Sequence, residues 1–252
     1  MALTTAEAIL LDVRDLGERD RLATFLTRER GKLAGAARGA RTKHSRFAGL
    51  LQPLAKVRMT WFEKEGRELV RIGDVELVRP AAKLQEDLEG NLLSSYLADH
   101  VLSFTQENEP GDLPYRLLDS VLEALLAGVD RDLAARYFEA WVLRLAGVYP
   151  APWECPLCGR PLEGGAVVPT GAEGLVCYDC AGQEPAAVRG TAVGPGGLEL
   201  LRRIGRESLK QVAQAPPPPV VLREVEALNT RVRRDFLQGE LKSYRVLKQT
   251  LG

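Results

Sequence analysis

The 252-residue sequence predicts a multidomain α+β protein, in which a small N-terminal β-barrel precedes a helical region that contains a four-cysteine metal module. Three observations lead to this fold class. Apolar and polar residues alternate with a period of two over the first 79 residues, and a helical period replaces the alternation after Pro80. Two CxxC pairs then interrupt the helical region. With 45% hydrophobic residues, the chain can bury a sizeable core.

Five strands are predicted before Pro80. The first three lie in residues 8–39 and are separated by two short turns. The fourth covers residues 55–62, where every second residue is apolar, and the fifth covers residues 67–78. Five strands in so short a segment fit a small closed barrel, whose open face and loops suit single-stranded nucleic acid. Residues 39–51 are then the long connection between the third and fourth strands.

Helices are predicted in the rest of the chain. The apolar residues of the first helix follow a helical stripe through Leu84, Leu88, Leu92, Tyr96 and Val101. Further helices are predicted at Tyr115–Leu126, at Asp132–Ala146, at Gly197–Val212 and from Val220 onward. Proline and glycine mark breaks at Asn108–Pro114, Gly147–Trp153 and Ala215–Pro219. We expect the apolar stripes to face the core and the proline run to be a stiff connector.

The charges of this formally neutral chain are separated along the sequence. Seven bases and one acid lie between Arg28 and Arg46, whereas fifteen acids and six bases lie between Glu63 and Asp130. Eleven bases and five acids follow between Arg202 and Lys248. Such blocks create local fields that attract a polyanion to one surface, although a merely solvated surface is the alternative. The run "ARGARTKHSRF" at residues 37–47 contains no acid.

The four cysteines form the sharpest local signal. Cys155-Pro-Leu-Cys158 and Cys177-Tyr-Asp-Cys180 are separated by eighteen residues, a spacing typical of a tetrahedral four-thiolate zinc site. Iron–sulfur ligation and disulfides are the alternatives, and disulfides are disfavoured in a protein without an export signal. Four thiolates leave no open coordination position, so we predict one structural Zn²⁺. Because residues 155–180 carry one base and three acids, we expect this module to support the fold rather than to bind phosphate.

Sequence signals for catalysis are weak, and we predict that the protein is not an enzyme. There is no P-loop, no HExxH and no GxSxG motif, and Gly194–Gly197 is typical of a turn before a helix. We expect His44 and His100 to be ordinary surface or helix residues. No segment approaches the roughly 18 apolar residues of a membrane span, and the N-terminus has no basic leader, so we expect a cytoplasmic protein.

The combination of these features resembles the bacterial RecO family of recombination mediators. The resemblance is carried by "GKLAGAARGARTKHSRFAGLLQPLAKVRMTW" at residues 31–61, by the CxxC pairs and by "LKSYRVL" at residues 241–247. It covers essentially the whole chain. The resemblance implies an OB-fold DNA-binding domain at residues 1–79, a helical domain at residues 80–150 and 186–252, and a zinc module at residues 151–185.

The resemblance also implies a function without catalysis. Such a protein is a mediator of the RecF pathway that binds single- and double-stranded DNA and anneals complementary strands. With RecR it assists the loading of RecA onto DNA coated with single-strand-binding protein (SSB). We expect DNA contacts at two basic sets, the stronger being Lys32, Arg38, Arg41, Lys43 and Arg46, and the weaker Arg231, Arg233 and Arg234. Trp61 or Phe62 could stack a base, although strand alternation places at least one of them in the core.

A different class of function remains as the alternative. The chain could be a zinc-ribbon interaction module whose basic loop binds an acidic protein partner. A DNA mediator should bind single strands of unrelated sequence similarly and should accelerate their pairing, whereas an interaction module should not. A metal-dependent nuclease is disfavoured because four thiolates saturate the metal.

Overall fold

The computed structural model describes residues 2–64, 66, 69–107, 109–170, 174–182 and 190–251. The chain divides into two compact units, Met1–Leu126 with Leu241–Gly252, and Ala127–Glu240. The predicted α+β class is confirmed. The predicted domain boundaries, at residues 1–79, 80–150, 151–185 and 186–252, were drawn by type of secondary structure, and they stay a prediction. Residues 67–68 of the predicted fifth strand, residue 108 of the predicted helix break and residues 183–189 around the predicted module boundary lie outside the described residues.

The described elements follow the order strands, helices, small sheet, helices. The strands are β1 (Ala2–Leu16), β2 (Asp20–Thr27), β3 (Gly31–Ala37), β4 (Lys56–Glu63), β5 (Leu69–Arg79), β6 (Ala166–Pro169), β7 (Val176–Cys177) and β8 (Gly190–Val193). The α-helices are α1 (Leu88–Phe104), α2 (Asp112–Leu126), α3 (Arg131–Leu145), α4 (Tyr178–Ala181), α5 (Pro195–Arg206), α6 (Leu209–Gln214), α7 (Pro219–Leu237) and α8 (Lys242–Leu251). Within the described part of the chain, no helix is both long and apolar enough to span a membrane.

The first five strands form a closed barrel in the order β1-β2-β3-β5-β4. The long strand β1 pairs antiparallel with β4 over Ala2–Ile9 and with β2 over Ala8–Leu16, and its register with β2 shifts between Leu10 and Asp12. Strands β3 and β5 pair in parallel and complete the closure. The strands predicted from the alternation are therefore present, and the long connection between β3 and β4 is where the sequence places it.

The barrel core contains the apolar residues that alternate along the strands. Its largest members include Leu10, Phe25, Met59, Trp61 and Ile72. Strand β3 contributes glycine and alanine because it lies close to β5. A Cβ atom added at Gly35 would lie 2.9 Å from side-chain atoms of both Val70 and Ile72. This close approach therefore requires glycine at position 35.

Helix α1 differs from its predicted pattern. It begins at Leu88, after Asp87, whose carboxylate accepts the backbone N–H of Gly90 at 2.7 Å. Leu84 belongs to a preceding 3₁₀ turn, and Leu88 is 61% exposed. Leu84 is buried as predicted, but the predicted helix began one turn too early, and the burial predicted for Leu88 was wrong. The buried face instead carries Leu93, Tyr96, Leu97, Ala98 and Val101.

Helix α8 packs against α1 within the first unit. The ring of Tyr244 lies 5.4 Å from that of Tyr96, and the hydroxyl of Ser243 donates to the Asp99 carboxylate at 2.6 Å. His100 is fully buried on α1 with its ring edge-on to Tyr96. It is therefore a core residue of a helix, whereas His44 is exposed.

In the second unit, a buried polar network joins α3 and α7. The guanidinium of Arg136 contacts the carboxylates of Glu139 at 2.8 Å and Glu226 at 2.9 Å. The side-chain amide of Asn229 donates to Glu139 at 2.9 Å, so α3 and α7 are joined by hydrogen bonds. Buried charges need such partners because their desolvation is costly.

The last helical region is more divided than the sequence predicted. The helical region predicted for residues 197–212 contains two helices, since α5 ends at Arg206 and α6 begins after Ser208. Ser208 and Gln211 form a reciprocal capping box that starts the new helix. The proline run ends inside α7, because Pro219 is the first residue of that helix.

Candidate nucleic-acid interface and metal centre

The basic loop, residues 38–46, leaves the barrel at the end of β3. Gly39 has a φ of +71° and its N–H donates to the Asp20 carboxylate at 2.8 Å. The N–H of Arg41 donates to the carbonyl of Arg19 at 3.0 Å. Further turns follow, in which the N–H groups of Thr42 and Ser45 donate to carbonyls three residues earlier. The basic loop is thus attached to the turn between β1 and β2.

Apolar side chains hold the connection between β3 and β4 against the barrel core. Ala40 is 9% exposed, Phe47 2%, Leu51 4% and Leu54 1%. The sequence pattern predicts only a connection here and does not reveal these anchors, although residues 47, 51 and 54 are apolar. These buried residues fix the backbone from which the basic side chains of the loop extend.

The basic side chains of this loop point outward. Arg38, Arg41, Lys43 and Arg46 are all exposed. Arg41 is partly engaged, since its guanidinium donates to the Gly17 carbonyl at 2.8 Å and pairs with Asp15 at 3.3 Å. The guanidinium of Arg46 lies 4.9 Å from the centre of the Phe47 ring. In the described part of the chain, Arg38, Lys43 and Arg46 make no ion pair, so their charges are available to an anion.

Lys32 has a different environment from the basic loop. It lies on β3, is half-buried, and its ammonium group donates to the carbonyl of Leu102 at 2.9 Å. A phosphate contact would have to replace this hydrogen bond. Lys32 stays a predicted DNA contact, but a weaker one than the exposed bases of the basic loop.

The second predicted basic set lies on α7 and is mostly engaged in ion pairs. Arg233 is fully buried, and its guanidinium contacts the Glu240 carboxylate at 2.8 Å. Its prediction as a DNA contact was wrong, because a buried and paired guanidinium cannot reach a phosphate. Arg231 forms an ion pair with Asp235, one helical turn further on. Arg234 is exposed and stays a prediction together with Arg231.

Trp61 and Phe62 of β4, the two candidates for base stacking, differ in burial. Trp61 is fully buried, its indole N–H donates to the Glu63 carboxylate at 2.9 Å, and its ring lies 5.5 Å from that of Phe25. Trp61 is therefore a core residue and cannot stack a base. Phe62 is half-buried.

The four cysteines converge in the second unit. The sulfurs of Cys155, Cys158, Cys177 and Cys180 all lie within 4.8 Å of one another. Cys158 and Cys177 are 3.8 Å apart, the separation of about 3.8 Å that Zn–S bonds of about 2.3 Å give in a tetrahedron. The first pair lies in a tight turn, where the N–H of Gly159 donates to the Cys155 carbonyl at 2.8 Å. The cluster is therefore compatible with a metal ion.

Arg160 supports this cluster from outside. Its guanidinium donates to the Cys158 sulfur at 3.5 Å and pairs with Asp179 at 2.9 Å, so it connects the two CxxC segments. This hydrogen bond lowers the pKa of the Cys158 thiol to about 6, which favours the thiolate that a metal requires. From the sequence, Arg160 counts only as one positive charge of the module, and its contacts with both CxxC segments could not be predicted.

Comparison with known proteins identifies the family. The N-terminal model of recombination protein O matches residues 1–81, and its C-terminal model matches residues 85–245. The chain belongs to the RecO family. A DNA repair protein RecO from Anaeromyxobacter sp. (strain K) is 34% identical over 96% of this chain and 94% of its own length. One from Pelotomaculum thermopropionicum is 33% identical over 98% of this chain and 94% of its own length.

Membership of the RecO family places the chain in DNA recombination and repair. Among the residues predicted for DNA contact, the structure brings Arg38, Arg41, Lys43 and Arg46 together on one loop of the first unit. Arg231 and Arg234 belong to the second unit. The four predicted metal ligands form one cluster.

Proposed function

We propose that this RecO-family protein is a non-enzymatic mediator that binds single- and double-stranded DNA and anneals complementary strands. We further propose that its closed barrel is an OB-fold and carries the principal DNA-binding surface. The strand order β1-β2-β3-β5-β4 and the long loop after β3 support this assignment. One structural Zn²⁺ bound by the four cysteines would hold the module of the second unit together.

The basic loop is the observation that carries the proposal. It presents three positive side chains, Arg38, Lys43 and Arg46, that make no ion pair with any residue the structure describes, and the loop itself contains no acid. Flexible Arg and Lys side chains neutralise phosphates without reading base sequence. Annealing requires this property, because two polyanions must be brought together while their base edges stay free to pair.

The proposed partners follow from the family. We infer that the protein acts in the RecF pathway with RecR and assists the loading of RecA onto DNA coated with SSB. During repair it would be located at the nucleoid in the cytoplasm. These partners are proposed from the resemblance of the whole chain to RecO proteins.

The decisive experiment compares two triple variants of equal charge. The first replaces Arg38, Lys43 and Arg46 by Ala. The control replaces three exposed basic residues of the same unit, Lys64, Lys242 and Arg245, by Ala. Arg79 is unsuitable as a control because it pairs with Asp119 at 2.7 Å, and Arg41 is left intact because it anchors the basic loop.

Binding to oligo-dT and annealing of complementary oligonucleotides are measured over a range of salt concentrations, with and without RecR. For the loop variant, the slope of log affinity against log salt should fall by about 2, because each phosphate contact on a single strand contributes about 0.7. The control should keep its slope. Equal losses of DNA affinity in both variants would mean that only total charge matters. If the loop variant lost no affinity, the basic loop would instead fit the alternative of an acidic protein partner.

A further inference from the structure

Trp153 is an exposed aromatic residue in the second unit that the proposed function has not used. Its side chain is 39% exposed, whereas Trp61 is fully buried and Trp141 is half-buried. It follows the turn after α3 and precedes the first cysteine ligand, Cys155, by two residues. The carbonyl of Trp153 accepts the N–H of Leu162 at 3.0 Å, so its backbone is fixed.

Two arginines of α5, one helical turn apart, lie against this indole. The guanidinium of Arg202 is 5.7 Å from the ring centre and donates to the carbonyls of Pro152 at 3.1 Å and Leu162 at 2.6 Å. It therefore fixes the segment that carries Trp153. Arg206 is the nearer one, with its guanidinium carbon 4.2 Å from the ring centre.

The guanidinium of Arg206 is accessible to a ligand. Its side chain is exposed, and among the described residues its guanidinium makes no hydrogen bond and no ion pair. A guanidinium stacked on an indole presents a planar cationic surface with donors at its edge. Unpaired bases stack on aromatic rings and on guanidinium planes, and they bind such surfaces with little dependence on sequence.

The local charge indicates stacking rather than phosphate binding. Glu199 pairs with Arg202 at 3.7 Å, and Glu154 is exposed beside Trp153. The nearby cysteine cluster would be formally anionic as a zinc tetrathiolate. These acidic groups lower the local positive charge without pairing with Arg206, so the planar surface is the main feature that this site offers to a ligand.

We propose that Trp153 and Arg206 form a base-stacking site for an unpaired nucleobase of single-stranded nucleic acid. This inference rests on the proposed DNA-binding function and adds a capacity that the basic loop lacks. The basic loop neutralises phosphates of single strands and duplexes alike, whereas a stacking site binds only bases that are free of a duplex.

The test replaces Trp153 by Leu, which fills space without stacking, and by Phe, which retains an aromatic face. Three probes of equal length are used: oligo-dT, a duplex, and a deoxyribose-phosphate chain without bases. W153L should weaken binding of oligo-dT about tenfold, within the range measured for loss of one stacked base. W153F should stay within about threefold of the wild type, and W153L should bind the duplex and the baseless chain as the wild type does.

The salt dependence separates this site from the basic loop. W153L removes no charge, so its slope of log affinity against log salt should equal that of the wild type. The proposal is overturned if W153L weakens binding of all three probes equally, or of none. A protein that binds no DNA would refute the proposed function instead, whereas a W153L effect together with unchanged DNA binding by the loop variant would refute only the basic loop.

A second variant covers the case in which W153L is misfolded. Metal content and melting temperature are compared with those of the wild type, and R206K keeps the charge of Arg206 while losing its planar face. R206K should weaken oligo-dT binding with an unchanged salt slope, and R206A should weaken it further. If both Arg206 variants bind oligo-dT as the wild type does, Arg206 has no part in stacking and the proposal fails.

Discussion

The basic loop and the last turns of α7 have similar densities of positive charge in the sequence but opposite environments in the fold. On the basic loop, Arg38 and Lys43 are exposed and make no ion pair with any described residue. On α7, Arg233 is buried against Glu240 and Arg231 pairs with Asp235. A run of bases therefore indicates a ligand surface only where the folded chain supplies no acid within reach.

The difference has a simple physical origin. A helix places residues four apart on the same face, so an acid at position 235 meets the arginine at position 231. Gln238 adopts a left-handed conformation with a φ of +52°, which ends α7 and turns the chain so that Glu240 reaches Arg233. The basic loop carries no acid of its own, and among the described residues Arg41 is the one member that pairs with an acid, Asp15 of β1.

Loss of the metal site should have the largest effect and should spare the basic loop. Structural zinc contributes on the order of 10 kcal/mol of apparent binding free energy to small modules, so C155S should abolish metal binding and unfold the module. Metal content and thermal unfolding measure this change. The salt slope of DNA binding by the protein that remains folded should stay the same; a folded, metal-free protein that selectively lost DNA binding would contradict a purely structural metal.

Arg233→Ala should have the next largest effect, on stability rather than on DNA binding. Removing one partner of a buried ion pair leaves Glu240 without its cation, so the free energy of unfolding should fall by about 3 kcal/mol. Urea unfolding measures this loss, and the double variant R233A/E240A should recover part of it. If R233A were as stable as the wild type but bound DNA poorly, the assignment of Arg233 to the fold would be wrong.

Within the basic loop, Arg41 and Arg38 should behave differently. R38A should lower DNA affinity and leave stability unchanged, because Arg38 makes no ion pair with any described residue. R41A should also lower the free energy of unfolding by about 0.5 kcal/mol, since an exposed ion pair and a hydrogen bond to Gly17 are lost. Equal stabilities of the two variants would show that these contacts of Arg41 do not hold the loop.

The smallest effect is expected for Arg231→Ala. An ion pair between residues four apart on a helix surface contributes about 0.3 to 0.5 kcal/mol, so stability should barely change. DNA affinity should change little while Asp235 holds the guanidinium. The variant D235A releases Arg231, and stronger DNA binding by D235A than by R231A/D235A would show that the pairing masks a DNA contact.

The sequence predicted the barrel strands and the clustering of the four cysteines well because both depend on local patterns. Alternation along β4 places Met59 and Trp61 in the core, and the spacing of the CxxC pairs brings four sulfurs together. The capping box at Ser208 and Gln211 was equally local and would have shown the start of α6. The burial of Arg233 depends instead on a turn between two helices, which a helical period does not describe.

The return of α8 to the first unit has a consequence for the order in which the polypeptide can fold. Residues 127–240 form a continuous unit, whereas the unit of the barrel needs residues 241–252 as well. During translation, the second unit can therefore complete its contacts while Tyr96 of α1 still awaits Tyr244. A fragment that stops at Leu126 would leave this face of α1 uncovered, so we expect it to aggregate more readily than a form of the barrel that includes α8.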